Sequence, residues 1–117
     1  MDLEKAIQAH TEWKTKLRSA IAQQASLDSA TIGADNQCPL GKWLHGEARS
    51  KYGHLAAYRE CVGAHADFHR QAGAVARQIN GKQYAAAETA LGASTPYADA
   101  SSKTGVAIIK LRKEAGL

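Results

Sequence analysis

Proline and strand-forming runs are scarce in this chain. Only Pro39 and Pro96 interrupt its 117 residues. No stretch alternates Val, Ile or Thr with polar residues as a half-buried strand would. Those absences argue against a β-rich fold, and the abundance of alanine points to helix. No stretch approaches the ~18 consecutive apolar residues of a membrane span. The opening Met1-Asp2-Leu3-Glu4-Lys5 lacks the apolar core of a secretory signal. No run of about five or more Lys or Arg occurs, so the net charge of +4 is dispersed and nucleic acid is not an expected partner. Cysteine is limited to Cys38 and Cys61. Two cysteines with no secretory signal imply reduced thiols and a cytoplasmic location.

What is present fits one globular domain spanning residues 1–117. Hydrophobic residues are 44% and charged residues 22%, ordinary values for such a domain. The length is enough to bury one core without disulfides, and too short for most enzymes built from a cofactor half and a substrate half. Five histidines stand out, and their positions carry the chemistry.

Apolar positions at Leu3, Ile7, Trp13, Leu17 and Ile21 recur at three-four spacing, with His10 in the same stripe. That periodicity predicts an amphipathic helix over residues 2–27. Residues 28–37 read as a loop, with Gly33 and Asn36 as breakers. Pro39 to His45 reads as a short helix, with Cys38 at its N-cap and Gly46 closing it. A long helix is expected from residue 52 or 54 to Asn80. Its stripe is Leu55, Tyr58, Val62, His65, His69, Ala72, Ala76 and Ile79, and Asn80-Gly81 stops it. A shorter helix is expected over 82–91, and Pro96 opens a last one to about residue 115. There is no internal repeat, low-complexity tract or linker. The expected fold is all-α: an antiparallel four-helix bundle with an additional short helix carrying Cys38.

His65 and His69, four residues apart on one helix, stack on one face and can reach a single metal ion. The spacing alone is a weak signal, because solvated or core histidines produce it too. Their place on an apolar stripe strengthens it. His10 lies on the stripe of the first helix, and burying three imidazoles together is costly unless something satisfies them. Cys38 adds a soft anionic ligand, near a helix N-terminus that favours its thiolate. A His10, Cys38, His65, His69 set is tetrahedral and suits Zn2+. Cys61 and His69 are about 12 Å apart along a helix, so one ion cannot take both. Either Cys61 and His65 or His65 and His69 form the helical pair. The latter is preferred, because a free cysteine is commonly a small buried hydrophobe. His45 and His54 read as surface residues of a loop region. Trp13 and Trp43 are expected to pack around the site, and Asp35 to orient a ligand or simply to form a turn.

The ordered set His10-x-x-Trp13-Lys14, Cys38-x-Leu40-Gly41-x-Trp43-Leu44 and His65-x-x-x-His69 resembles the chemoreceptor zinc-binding domain, CZB. The resemblance extends over essentially the whole chain. It implies that His10, Cys38, His65 and His69 ligate zinc. It implies a bacterial cytoplasmic regulatory domain that senses zinc, or oxidants such as hypochlorous acid, through Cys38. It also implies a homodimer, and partnership with the signalling domain of a chemotaxis receptor or a diguanylate cyclase, in cis or in trans. No such signalling domain is visible in these residues, and no membrane contact by this domain is expected.

Two other classes compete. A zinc hydrolase keeps a coordination position open for water, but here four ligands are available and no His-Glu-x-x-His occurs. A di-iron carrier needs carboxylates on the helix stripes, and no Glu-x-x-His or His-x-x-x-Glu occurs. The sequence thus reads as a non-enzymatic zinc module, with a metal-free helical interaction module as the remaining alternative.

Overall fold

A computed structural model describes all 117 residues, as seven helices and no strand. They are α1 (Leu3–Gln23), α2 (Ser29–Gly33), α3 (Pro39–His45), α4 (Glu47–Tyr52), α5 (Ala56–Asn80), α6 (Tyr84–Ala90) and α7 (Pro96–Ala115). No helix is long and apolar enough to cross a membrane.

Local chemistry sets the boundaries. The Asp2 carboxylate accepts from the backbone N–H groups of Glu4 and Lys5 at 3.0 and 3.2 Å and so caps α1. That helix stops short of residue 27, because Gln24 turns left-handed at φ 51°. The turn lets Leu27 pair with the end of α5. Its N–H donates to Asn80 Oδ1, and Asn80 Nδ2 donates to its carbonyl, both at 2.8 Å. Helix α3 occupies its expected span, with Cys38 at the N-cap and Pro39 at the first position. Thr95 caps α7 by accepting from Ala98 N–H at 3.2 Å, and Pro96 follows it.

Two helices arise where none was expected. Helix α2 forms inside the anticipated loop, started by the Asp28 carboxylate accepting from Thr31 N–H and closed over the buried Ile32. Helix α4 forms around Ala48, which is fully buried. The helix expected over 82–91 is the short α6, whose Ala87, with the capping Leu91 that follows it, enters only the second of the molecule's two apolar cores.

The interior is in two apolar parts. The first gathers Leu3, Leu40, Leu44, Ala57, Cys61, Ile108 and Leu111. The second gathers Leu17, Ile32, Phe68, Val75, Ile79, Leu91 and Tyr97. Every buried polar side chain falls between them: His10 on α1, His65 and His69 on α5, Thr104 on α7. Thr104 Oγ1 is directed at the carbonyls of Ala100 and Ala64, at 2.8 and 2.9 Å. A polar layer thus crosses the three long helices at mid-height.

The order of contacts along each helix gives its direction. Helices α1 and α5 both run from the first core to the second, and α7 runs back. The return between α1 and α5 is made by α2, which packs in the second core, and then α3, which packs in the first. The break between these two short helices falls at the polar layer, and Cys38 lies in it.

Candidate metal centre

Helix α5 presents His65 and His69 one turn apart, both buried. The start of α3 brings Cys38 against them. The Cys38 Sγ lies 3.3 Å from His65 Nε2 and 3.5 Å from His69 Nε2, and the two Nε2 atoms are 3.0 Å apart. A tetrahedral zinc ion with ordinary bond lengths separates two imidazole nitrogens by about 3.4 Å and a nitrogen from a thiolate sulfur by about 3.6 Å. The triangle therefore has the size of one face of such a coordination shell, to within a few tenths of an ångström. These three residues form a metal-competent group of donors.

The hydrogen bonding also fits a cation. His69 Nδ1 donates to the Ile32 carbonyl at 2.8 Å, in a buried position. In the neutral imidazole this leaves the Nε2 lone pair facing the other two donors. His65 Nδ1 is buried with no partner in the protein. Gly41 N–H donates to Cys38 Sγ at 3.3 Å, the capping bond of α3. Three donor atoms converging this closely call for a proton or a metal ion among them.

The charges are tuned accordingly. Burial alone would raise the Cys38 thiol, but hydrogen bonds from His65, His69 and Gly41 outweigh it and bring the group from 9.0 down to about 5. It is a thiolate at neutral pH, as metal ligation requires. Burial works to lower His69, but its bonds to Cys38 and to the Ile32 carbonyl leave it raised. His10 is lowered to about 4, by burial first, against the opposing Ser101 hydrogen bond. It is neutral at physiological pH.

The remaining residues singled out in the sequence divide. His10 lines the same small cavity, about 50 Å³, as Cys38, His65 and His69. Its ring packs on Phe68 with centroids 4.0 Å apart, and its Nε2 bonds to the Ser101 hydroxyl and carbonyl at 3.1 Å, so it stands beside the cluster of three. Trp13 lines that cavity. Trp43 does not; its ring packs on Tyr52, centroids 6.1 Å apart. Asp35 reaches His45, which lies at the end of α3, outside any loop; Asp35 Oδ2 and His45 Nε2 are 3.0 Å apart. His54 is exposed in a turn. Cys61 is fully buried in the first core, and burial pushes its thiol up to about 12.

Sequence reasoning did not find the Ile32 carbonyl or Ser101. The first acts through its backbone, which side-chain patterns do not reveal. The second is a polar residue on α7 far from His10 in sequence, and no local spacing signals it.

The chain matches the family model described as the chemoreceptor zinc-binding domain, CZB, over residues 10–76. The match begins at His10 and takes in Cys38, His65 and His69. No curated protein and no solved structure matches the chain.

Proposed function

The chain belongs to the chemoreceptor zinc-binding domain family, and on that premise we propose that it is a sensory module whose zinc-bound Cys38 is its responsive element. The observation that carries this reading is the convergence of Cys38 Sγ, His65 Nε2 and His69 Nε2 within 3.5 Å of one another. Bound there, zinc would supply Lewis acidity and hold the Cys38 thiolate. His10 completes the ligand set by exchanging Ser101 for the ion. Its burial, its neutral state and its place in the shared cavity support that role.

The response is oxidation. A thiolate with a lowered pKa is the reactive form of cysteine. Attack of Cys38 on hypochlorous acid gives the sulfenic acid and chloride, and the sulfenic acid is a weaker ligand. Cys38 is the N-cap of the short helix α3. Releasing its sulfur loosens that helix from α5 and produces a two-state switch. No carboxylate lines the cavity to act as a base, which supports the sensory reading over a hydrolytic one. The output runs through a second copy of the chain and the signalling domain of a chemoreceptor or diguanylate cyclase. The exposed Val106 and Ile109 on α7 offer apolar surface for such contacts.

Native mass spectrometry before and after a strong chelator tests the zinc reading. The expected result is loss of the mass of one zinc ion per chain, and an unchanged mass sinks it. Oxidant added to zinc-loaded protein should release zinc and lower helicity. An identical response from Cys38→Ser removes the redox part.

A further inference from the structure

Helices α2 and α5 meet at a crossing where neither has a side chain. Gly33 of α2 lies against Gly73 of α5. A Cβ on Gly73 would fall 2.7 Å from the Cα of Gly33 and 3.2 Å from its nitrogen, and backbone cannot swing aside. A Cβ on Gly33 would instead meet its nearest neighbour, Gly73 Cα, at 3.6 Å, an ordinary contact. The crossing thus tolerates a side chain from one helix and not from the other.

This close approach has a chemical result. Ile32, the residue before Gly33, accepts the His69 Nδ1 hydrogen bond on its carbonyl. Gly73 is one turn beyond His69 on the same face of α5. Only because α5 is bare at Gly73 can the α2 backbone come down far enough to put that carbonyl over the imidazole. The rest of the segment is fastened to match. Leu27, just before α2, is clasped by Asn80 through two 2.8 Å bonds, and the Ile32 side chain is buried in the second core.

We propose that Gly73 is a positioning residue for the metal centre. By admitting the α2 backbone it presents the Ile32 carbonyl to His69 Nδ1, and so keeps the His69 proton on the nitrogen that points away from Cys38 and His65. Without that acceptor the proton moves to Nε2, the nitrogen a metal ion must use, and occupancy then requires it to be expelled. The proposal rests on the zinc reading for its affinity consequence alone; the tautomer belongs to the metal-free protein.

Nitrogen-15 NMR of the metal-free full chain reads that tautomer directly, at a pH above the end of the His69 titration, which lies higher than that of an ordinary imidazole. The wild-type chain is expected to carry the His69 proton on Nδ1. Gly73→Ala moves it to Nε2 and weakens zinc binding about tenfold to a hundredfold, the usual cost of losing a partner that orients a ligand. Gly33→Ala, at the same crossing, leaves both readings unchanged. A wild-type chain protonated on Nε2 overturns the proposal. So does a folded Gly73→Ala that retains the Nδ1 tautomer, or one that changes tautomer with no change in zinc affinity. Should Gly73→Ala fail to fold by circular dichroism, Asn80→Ala takes its place, since it cuts the clasp at the start of the same segment. A mixed tautomer and an intermediate affinity are expected there, and an unchanged tautomer overturns the proposal. A chain with the Nδ1 tautomer that binds no zinc refutes the proposed function and leaves the role of Gly73 intact.

Discussion

The Cys38 sulfur stands 3.3 Å from His65 Nε2 although 27 residues separate the two in sequence. The imidazole belongs to a 25-residue helix that is packed into both apolar cores. The sulfur belongs to the cap of a seven-residue helix that would be marginal alone. One half of the pair is thus rigid and the other is held in place mainly by its contacts. That asymmetry suits a switch in which Cys38 is the part that leaves.

The two cysteines should differ sharply in reactivity. Cys38 is lowered to about 5 and half-buried, whereas Cys61 is raised to about 12 and fully buried. Alkylation of the native metal-free chain with iodoacetamide at neutral pH should label Cys38 alone. Its rate should titrate with a midpoint near 5, and zinc should protect it. Equal labelling of Cys61 before unfolding, read by peptide mass spectrometry, would count against this assignment.

Histidine replacements should sort by position. His65→Ala and His69→Ala should each weaken zinc binding by about a hundredfold or more, since each removes a ligand and not merely a supporting group. His45→Ala and His54→Ala should leave affinity within a few-fold of wild type. His10→Ala decides the fourth ligand. A loss matching that of His65→Ala places it in the shell, and an unchanged affinity, measured by competition with a chromophoric chelator, removes it.

Acid should destabilise the metal-free chain through His10. The unfolded chain takes up this proton as the pH falls through the ordinary value of 6.5, while the folded chain resists until about 4. Stability linked to His10 is therefore intact above that window and declines across it. The decline amounts to about 3 kcal/mol once the pH is below the folded value. His10→Gln should lack this component. Urea unfolding of both proteins between neutral pH and the folded value checks it, and parallel pH profiles would refute it.

Two glycines should respond oppositely to alanine. A Cβ on Gly41 would overlap the Asp35 carbonyl oxygen, so Gly41→Ala must push α3 and its Cys38 cap away from the loop. A destabilisation of about 1–3 kcal/mol is expected, with weaker zinc binding. Gly63 lies mid-helix on α5 with nothing near its missing Cβ. Gly63→Ala should stabilise the chain by about 0.5–1 kcal/mol. Thermal melts of the two variants test both signs.

The long helices were legible because their stripes are long enough to show a period. Pro39, Cys38 and Gly46 marked α3 because capping chemistry is local. Helices α2 and α4 were not legible, since five or six residues hold too little periodicity. Their stability comes from burying Ile32 and Ala48 against distant helices. The three converging donors were visible as residue types at the right spacing. The turn of His10 toward Ser101 was not, because it is decided by the packing of α7 against α1. Trp43 was expected at the site for its nearness to Cys38, but the rotation of α3 carries its ring to Tyr52.

The division of the interior into two apolar cores has a consequence for cooperativity. Each core alone is smaller than a domain ordinarily needs to stay folded. They are joined across a layer of imidazoles, a thiolate and one hydroxyl, which supplies little hydrophobic cohesion. Along the 43 Å length of the molecule the three long helices run through both cores, and the bridging of Cys38 to α5 adds a tie from the short helix α3 across the polar layer. With the metal bound, calorimetry should record one transition. Once the sulfur is released, the end built on α3 and α4 should loosen ahead of the end built on α2 and α6, so the chain reports its ligation state as a change in how many parts it has.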